Sequence, residues 1–254
     1  MATTDGTLAL GSGAEIPARP MGIFARPGNT PGWRGWITTV DHKRIAIMYG
    51  ASALFFFLIG GFEALLIRLQ LAAPEGKLLS ADLYNQVYTM HGTTMIFLVV
   101  MPIGAAFMNY LLPLQIGARD VSFPRMNALS LWIWLLGAIF FNTSWLLGGG
   151  ADGGWFNYAP NSGVVFSPGH GIDFYAVGLL IMGIGSTVSA VNLTVTVLNM
   201  RAPGMTLMKM PVFTWMAFIT QVLLVFALPV ITVALLLLTL DRMFGANFFN
   251  ASKG

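Results

Sequence analysis

Three histidines, ten carboxylates and no cysteine make up the stock of metal-binding and acid–base side chains in this 254-residue chain. Without thiols there is no disulfide, no thiolate ligand and no cysteine nucleophile, so metal or redox-cofactor chemistry falls to imidazole and carboxylate. Two residues stand out by position. His91, in YTMHGTTMIF, lies inside a run apolar enough to cross a bilayer, where an imidazole without a partner is costly. Its small neighbours Gly92, Thr93 and Thr94 leave room for a bulky, flat cofactor. The same histidine reads equally as a core residue hydrogen-bonded to a neighbouring helix. Asp120, in PLQIGARDVSFPRMN, stands at the far end of that run, up to ~40 Å from His91 if the segment is all helical. Around it are Asn109 and Asn127, with Ser186, Ser189 and Asn192 on a later segment. Carboxamides and hydroxyls hold ordered water in apolar surroundings, so these residues fit a proton wire. The alternative is a solvated loop carboxylate beside Arg119 and Arg125. His170, near Asp173 in SPGHGID, reads as a capping or loop residue. His42 lies in a polar flank and receives no catalytic role.

The elements that must position these residues are membrane helices. The chain is 56% hydrophobic and only 9% charged, against roughly 25% charged in soluble domains. A net charge of +3 with no basic run excludes a nucleic-acid binder. Five apolar runs predict transmembrane helices at about 45–67, 87–112, 126–147, 172–198 and 212–240. Residues 1–40 read as a largely disordered tail, 41–250 as one all-α membrane domain, and 251–254 as a truncated end. Gly60 and Gly61 offer close helix packing in the first run, and Glu63 there is expected to reach the interface or Arg68. Pro102 is expected to kink the second helix. The fourth run is so rich in Gly, Ser and Thr that it belongs in a bundle interior or along a hydrated path. Arg19, Arg26, Arg34, Lys43, Arg44, Arg119, Arg125, Arg201 and Lys209 fall on the tail side; Arg68, Lys77, Arg242 and Lys253 fall on the other. The positive-inside rule then places the N-terminus in the cytoplasm, with His91 toward the outer face and Asp120 toward the inner one.

In order along the chain, VDHKRIAIMYG, YTMHGTTMIF, PLQIGARDVSFPRMN, GGGADGGW, SPGHGIDF, LNMRAPGM and PVFTW resemble subunit I of the heme-copper terminal oxidases. The resemblance covers about 38–250. It implies the first five helices of a twelve-helix fold that reduces dioxygen to water and pumps protons across a bacterial inner (plasma) membrane. His91 matches a ligand of the low-spin heme iron, with heme a as the expected cofactor, and Arg68 the arginine beside that heme's substituent. Asp120 matches the mouth of a proton-uptake path, Asn109 and Asn127 its entrance asparagines, and Ser186 and Asn192 polar residues farther along. Trp155 and Tyr158, in GGWFNYAP, match loop residues over the heme propionates and active site.

Quinol-type members carry arginine where Ile59 stands and histidine where Leu83 stands, while Glu63 and Gln86 occupy the two remaining quinone-contacting positions. Cytochrome c is therefore the expected donor, with quinol as the alternative. The implied partners are a copper-bearing electron-entry subunit, subunit III, cytochrome c and membrane lipid. The family's copper ligands, second axial ligand, oxygen-binding heme ligand and membrane glutamate have no match in this sequence. The chain is thus expected to be part of a catalytic subunit and inactive alone; a non-catalytic truncated bundle is the competing reading.

Overall fold

The computed structural model describes residues 7–9, 15–17, 32–250 and 252–253. They fall into two units, Met1–Val40 and Asp41–Gly254. In the first, Thr7–Ala9 pairs antiparallel with Glu15–Pro17, Leu8 opposite Ile16, and one helical turn spans Arg34–Ile37. The rest of the expected disordered tail lies outside the described residues.

The second unit is helical: α1 (His42–Gln70), α2 (Ala81–Gln115), α3 (Pro124–Thr143), α4 (Gly171–Asn199) and α5 (Val212–Phe244). All five are long and apolar enough to cross a membrane. Each of the expected spans is present, and local chemistry explains where they start and stop. Asp41 caps α1, its carboxylate accepting from the backbone N–H of Lys43 at 2.8 Å and Arg44 at 3.4 Å. Ser80 caps α2 by accepting from the Leu83 N–H at 3.2 Å. Pro124 opens α3, where its missing N–H costs nothing. Gly245, left-handed at φ 66°, closes α5.

Two features of α2 lie outside the sequence expectation. It begins at Ala81, not near Val87, because the polar turn Asp82–Gln86 carries no hydropathy signal yet is capped and helical. His91 consequently sits almost three turns into the helix. Immediately before Pro102, the position expected to kink, lies a π-helical stretch, Thr94–Val100. Proline removes one N–H and crowds the carbonyl four residues back; a wider turn there accommodates the ring.

Small residues set the helix spacing. A Cβ on Gly137 would come 2.7 Å from Met182 Cγ, and one on Gly185 2.8 Å from the Ser130 carbonyl, so α3 and α4 pack nearly backbone to backbone. α4 is the most buried of the five helices and lies between α3 and α5, as its composition led us to expect. The main core gathers Phe56, Leu131, Trp134, Phe141 and Tyr175, with Phe56 set edge-on to Trp134.

Candidate functional site

α1 and α2 run antiparallel, and glycine lets them close at the His91 level. A Cβ on Gly60 would stand 2.8 Å from Met95 Sδ. With none there, the Gly60 carbonyl lies 2.9 Å from His91 Nδ1. A carbonyl only accepts, so Nδ1 holds the ring proton and Nε2 keeps its lone pair. The ring is half-buried. A metal-binding imidazole has its second nitrogen held in this way, and a core histidine packed against a neighbouring helix makes the same bond. Among the described residues no three His, Asp or Glu side chains gather.

The glycine-rich loop after α3 is stitched to α2 beside this histidine. Its Gly150 N–H donates to Gln86 Oε1 at 3.0 Å, and its Gly154 N–H to Thr89 Oγ1 at 2.8 Å. Trp155 follows at once; a Cβ on Gly92 would lie 3.1 Å from the Trp155 Cβ. From α4, the Tyr175 hydroxyl donates to the Trp155 carbonyl at 2.7 Å. Trp155 is therefore brought one residue away from His91. Tyr158 is 71% exposed and packs only loosely, its ring centroid 5.0 Å from that of Phe156. Arg68 is exposed in the last turn of α1, and no hydrogen bond or ion pair among the described residues ties it to His91. Glu63 departs from expectation. Its carboxylate is buried and reaches neither the interface nor Arg68, and the Trp145 indole beside it stops short of hydrogen-bond geometry.

At the opposite end, Asp120 is buried, only 5% exposed. One carboxylate oxygen accepts from the Val121 N–H at 2.7 Å. Its loop is pinned from α4: the Ser122 N–H donates to Thr196 Oγ1 at 2.9 Å, and Asn192 meets both the N–H and the carbonyl of Phe123, at 2.9 and 3.2 Å. Asn192 thus spends its whole carboxamide on holding this loop. Asn109 and Asn127 are fully buried; Asn109 Oδ1 and both carboxamide atoms of Asn127 have no protein partner among the described residues. Buried amides of this kind are satisfied by water.

Polar groups continue inward from there. Ser130 Oγ donates to the Asn127 carbonyl at 2.7 Å and lies 3.3 Å from the Tyr49 hydroxyl. Tyr49 in turn lines a cavity of about 50 Å³ with Ser186, Ser189 and Gln221. A second cavity of about 20 Å³ lies beyond it and shares Ser186. Both exceed the ~10–15 Å³ that one water needs by this measure. Sequence reading missed Tyr49 and Ser130, and dismissed His42, which is 1% exposed and bonded through Nδ1 to the Asn109 carbonyl at 2.7 Å. The signal was available: His42 and Tyr49, seven apart, share a helix face.

The family model described as cytochrome c and quinol oxidase polypeptide I matches residues 44–254. The chain is 56% identical over 219 residues to cytochrome c oxidase subunit 1 of Bacillus subtilis, covering 86% of this chain and 35% of that protein. It is 49% identical over 222 residues to quinol oxidase subunit 1 of the same species (87% and 34%), and 48% identical over 220 residues to the putative cytochrome c oxidase subunit 1-beta of Streptomyces coelicolor (86% and 38%). The chain spans about a third of the length of these curated relatives. The matched motifs, five apolar helices and extent of identity agree, and the chain belongs to the heme-copper oxidase subunit I family.

Proposed function

We propose that this chain forms part of the catalytic subunit of a proton-pumping respiratory oxidase that takes electrons from cytochrome c and reduces dioxygen to water. The carrying observation is His91: its Nδ1 is committed to the Gly60 carbonyl and its Nε2 is left as a donor atom for iron. The residues around it fit a low-spin heme, heme a in this reading. Gly92 keeps that face of α2 thin, Trp155 and Tyr158 lie on the loop that packs there, and Arg68, exposed about two turns beyond Gly60 on α1, would meet a polar ring substituent. When bound, the heme supplies one-electron redox chemistry. The protein's part is to fix the imidazole tautomer, hold the ring orientation through α1, and exclude bulk water with the loop tied to Gln86 and Thr89. A second heme and a copper ion belong to the full-length family pattern and have no ligands in this sequence.

Asp120 takes up protons at the opposite end. A carboxylate there can accept a proton and release it inward to water held by Asn109 and Asn127, then past Ser130 and Tyr49 to the cavity lined by Ser186. Asn192 serves the path by fixing the loop that carries Asp120. The nine-to-four division of basic residues supports a cytoplasmic N-terminus in a bacterial inner membrane, which puts proton entry inside and heme outside. Cytochrome c is favoured over quinol because Ile59 and Leu83 are apolar at two quinone-contacting positions, and Gln86, at a third, is already engaged by Gly150. A copper-bearing subunit and subunit III complete the assembly.

The test is a full-length subunit carrying this segment, assayed for oxygen uptake with reduced cytochrome c and separately with a quinol, alongside its optical spectrum. Loss of the low-spin heme band in His91→Ala, with cytochrome c as the working donor in the parent, is the expected result. An unchanged band in His91→Ala overturns the ligand assignment.

A further inference from the structure

A groove of about 610 Å³ runs along the outside of the α1–α2 pair, in the half of the bundle that holds Asp120. Its floor is recessed by small residues: a Cβ on Gly50 would stand 3.8 Å from the Ala106 Cβ. Phe57, Phe107 and Tyr110 rise at its sides. The α1 wall spans Ala46 to Phe57, ~16 Å along the helix, close to half of a ~30 Å hydrocarbon core. The groove therefore has the depth of one lipid leaflet.

Lys43 supplies the other half of the recognition. Lys43, Ile47, Gly50, Leu54 and Phe57 recur at three- and four-residue steps, so the lysine stands on the groove's own helix face, one turn past its end. It is exposed, and among the described residues its ammonium has no hydrogen bond or ion pair. A cation at headgroup level above an apolar channel one acyl chain deep is complementary to one kind of molecule. We infer that this groove is a binding site for an anionic phospholipid, with an acyl chain between α1 and α2 and its phosphate at Lys43. The site is independent of the assignments at His91 and Asp120. Anionic lipid is concentrated in the cytoplasmic leaflet, and the basic-residue count puts Lys43 on that side.

Nanodiscs holding equal phosphatidylglycerol and phosphatidylcholine, with the full chain ejected for native mass spectrometry, provide the test. The parent chain should retain phosphatidylglycerol in preference. Lys43→Gln should cut that preference about fivefold, the effect of one basic residue at an anionic surface. Lys43→Arg should keep it, and Lys77→Gln at the opposite end should leave it unchanged. Ala106→Phe, which fills the floor, should lower retention of both lipids. An equal lipid ratio in Lys43→Gln and parent overturns the proposal. So does a photo-crosslinker at Phe107 that captures a protein segment, either a second copy or another helix, in place of lipid.

Discussion

The carbonyl oxygen of Gly60 stands 2.9 Å from Nδ1 of His91, a residue 31 positions away in sequence. A glycine on one helix thereby sets the protonation geometry of a histidine on the next. The link runs from sequence through helix spacing to ligand chemistry, because any larger residue at position 60 meets Met95 first.

Gly60→Val in the full-length subunit should weaken heme retention without abolishing it. Loss of a group that orients a ligating histidine costs about 10–100-fold in metal affinity. Heme content per protein after dialysis against a heme-binding competitor measures this, and His91→Ala sets the floor. A variant that keeps parental heme retention would mean that the Gly60 contact does not orient the ring.

Asp120→Asn keeps the size of the side chain and removes its proton chemistry. Turnover in the full-length subunit should fall on the order of 10²-fold, the lower range for losing a positioned proton-transfer group. The heme spectrum should stay parental, since the helix between Asn109 and His91 alone covers ~27 Å. Parental turnover would remove Asp120 from the path.

Asn192→Leu should destabilise the bundle by leaving the Phe123 N–H unpaired; the Phe123 carbonyl loses one donor but keeps the Asn127 N–H at 3.0 Å. Each buried group left unpaired costs about 1–3 kcal/mol, which corresponds to a fall in melting temperature of roughly 5 °C or more. Thr196→Val, which frees the Ser122 N–H and removes the hydroxyl's bond to the Asn192 carbonyl, should cost a similar amount. Thermal unfolding in nanodiscs followed by tryptophan fluorescence measures both. Equal melting of all three proteins would show that the loop is held by other contacts.

Gly185→Leu pushes a side chain toward the Ser130 carbonyl, 2.8 Å from the new Cβ, and the Trp134 N–H at 3.1 Å. Overpacking of this kind costs about 1–3 kcal/mol. Because Ser130 also contacts Tyr49, the variant should lose turnover in the full-length subunit as well as stability.

The chain has no cysteine, so single replacements report topology cleanly. Lys77→Cys and Met208→Cys, the latter 86% exposed in the parent, should label from opposite sides of intact vesicles. Labelling of both from one side would contradict the arrangement of α1 to α5.

Helix existence was legible in the sequence because each span is an unbroken apolar run, and His91 and Asp120 were legible because they break that apolarity at informative places. Other features depend on tertiary partners. Gln86 and Thr89 look like an ordinary polar lead-in until the loop from α3 returns to bond with them. His42 has the look of interfacial polarity, yet the return of α2 buries it against Asn109. Asn192 was legible as an interior polar residue; its grip on Phe123 was not, since sequence does not say which backbone a carboxamide will meet. Glu63 was misread for a similar reason: its proximity to Arg68 along the chain gave no hint that the two point apart.

The π stretch Thr94–Val100 sits between the His91 and Asn109 levels of one continuous helix. Its hydrogen bonds reach one residue farther than those of an α-helix, so the two halves of α2 are offset by about one residue's rotation, roughly 100°. The stretch works as an angular coupling: it lets each end be aimed separately by the packing around it. Deleting a single residue there, Ile96 for example, would restore ordinary winding at small cost in length. The imidazole would still face Gly60 and the Asp120 half would keep its bearing, because the wide turn is what absorbs the extra residue.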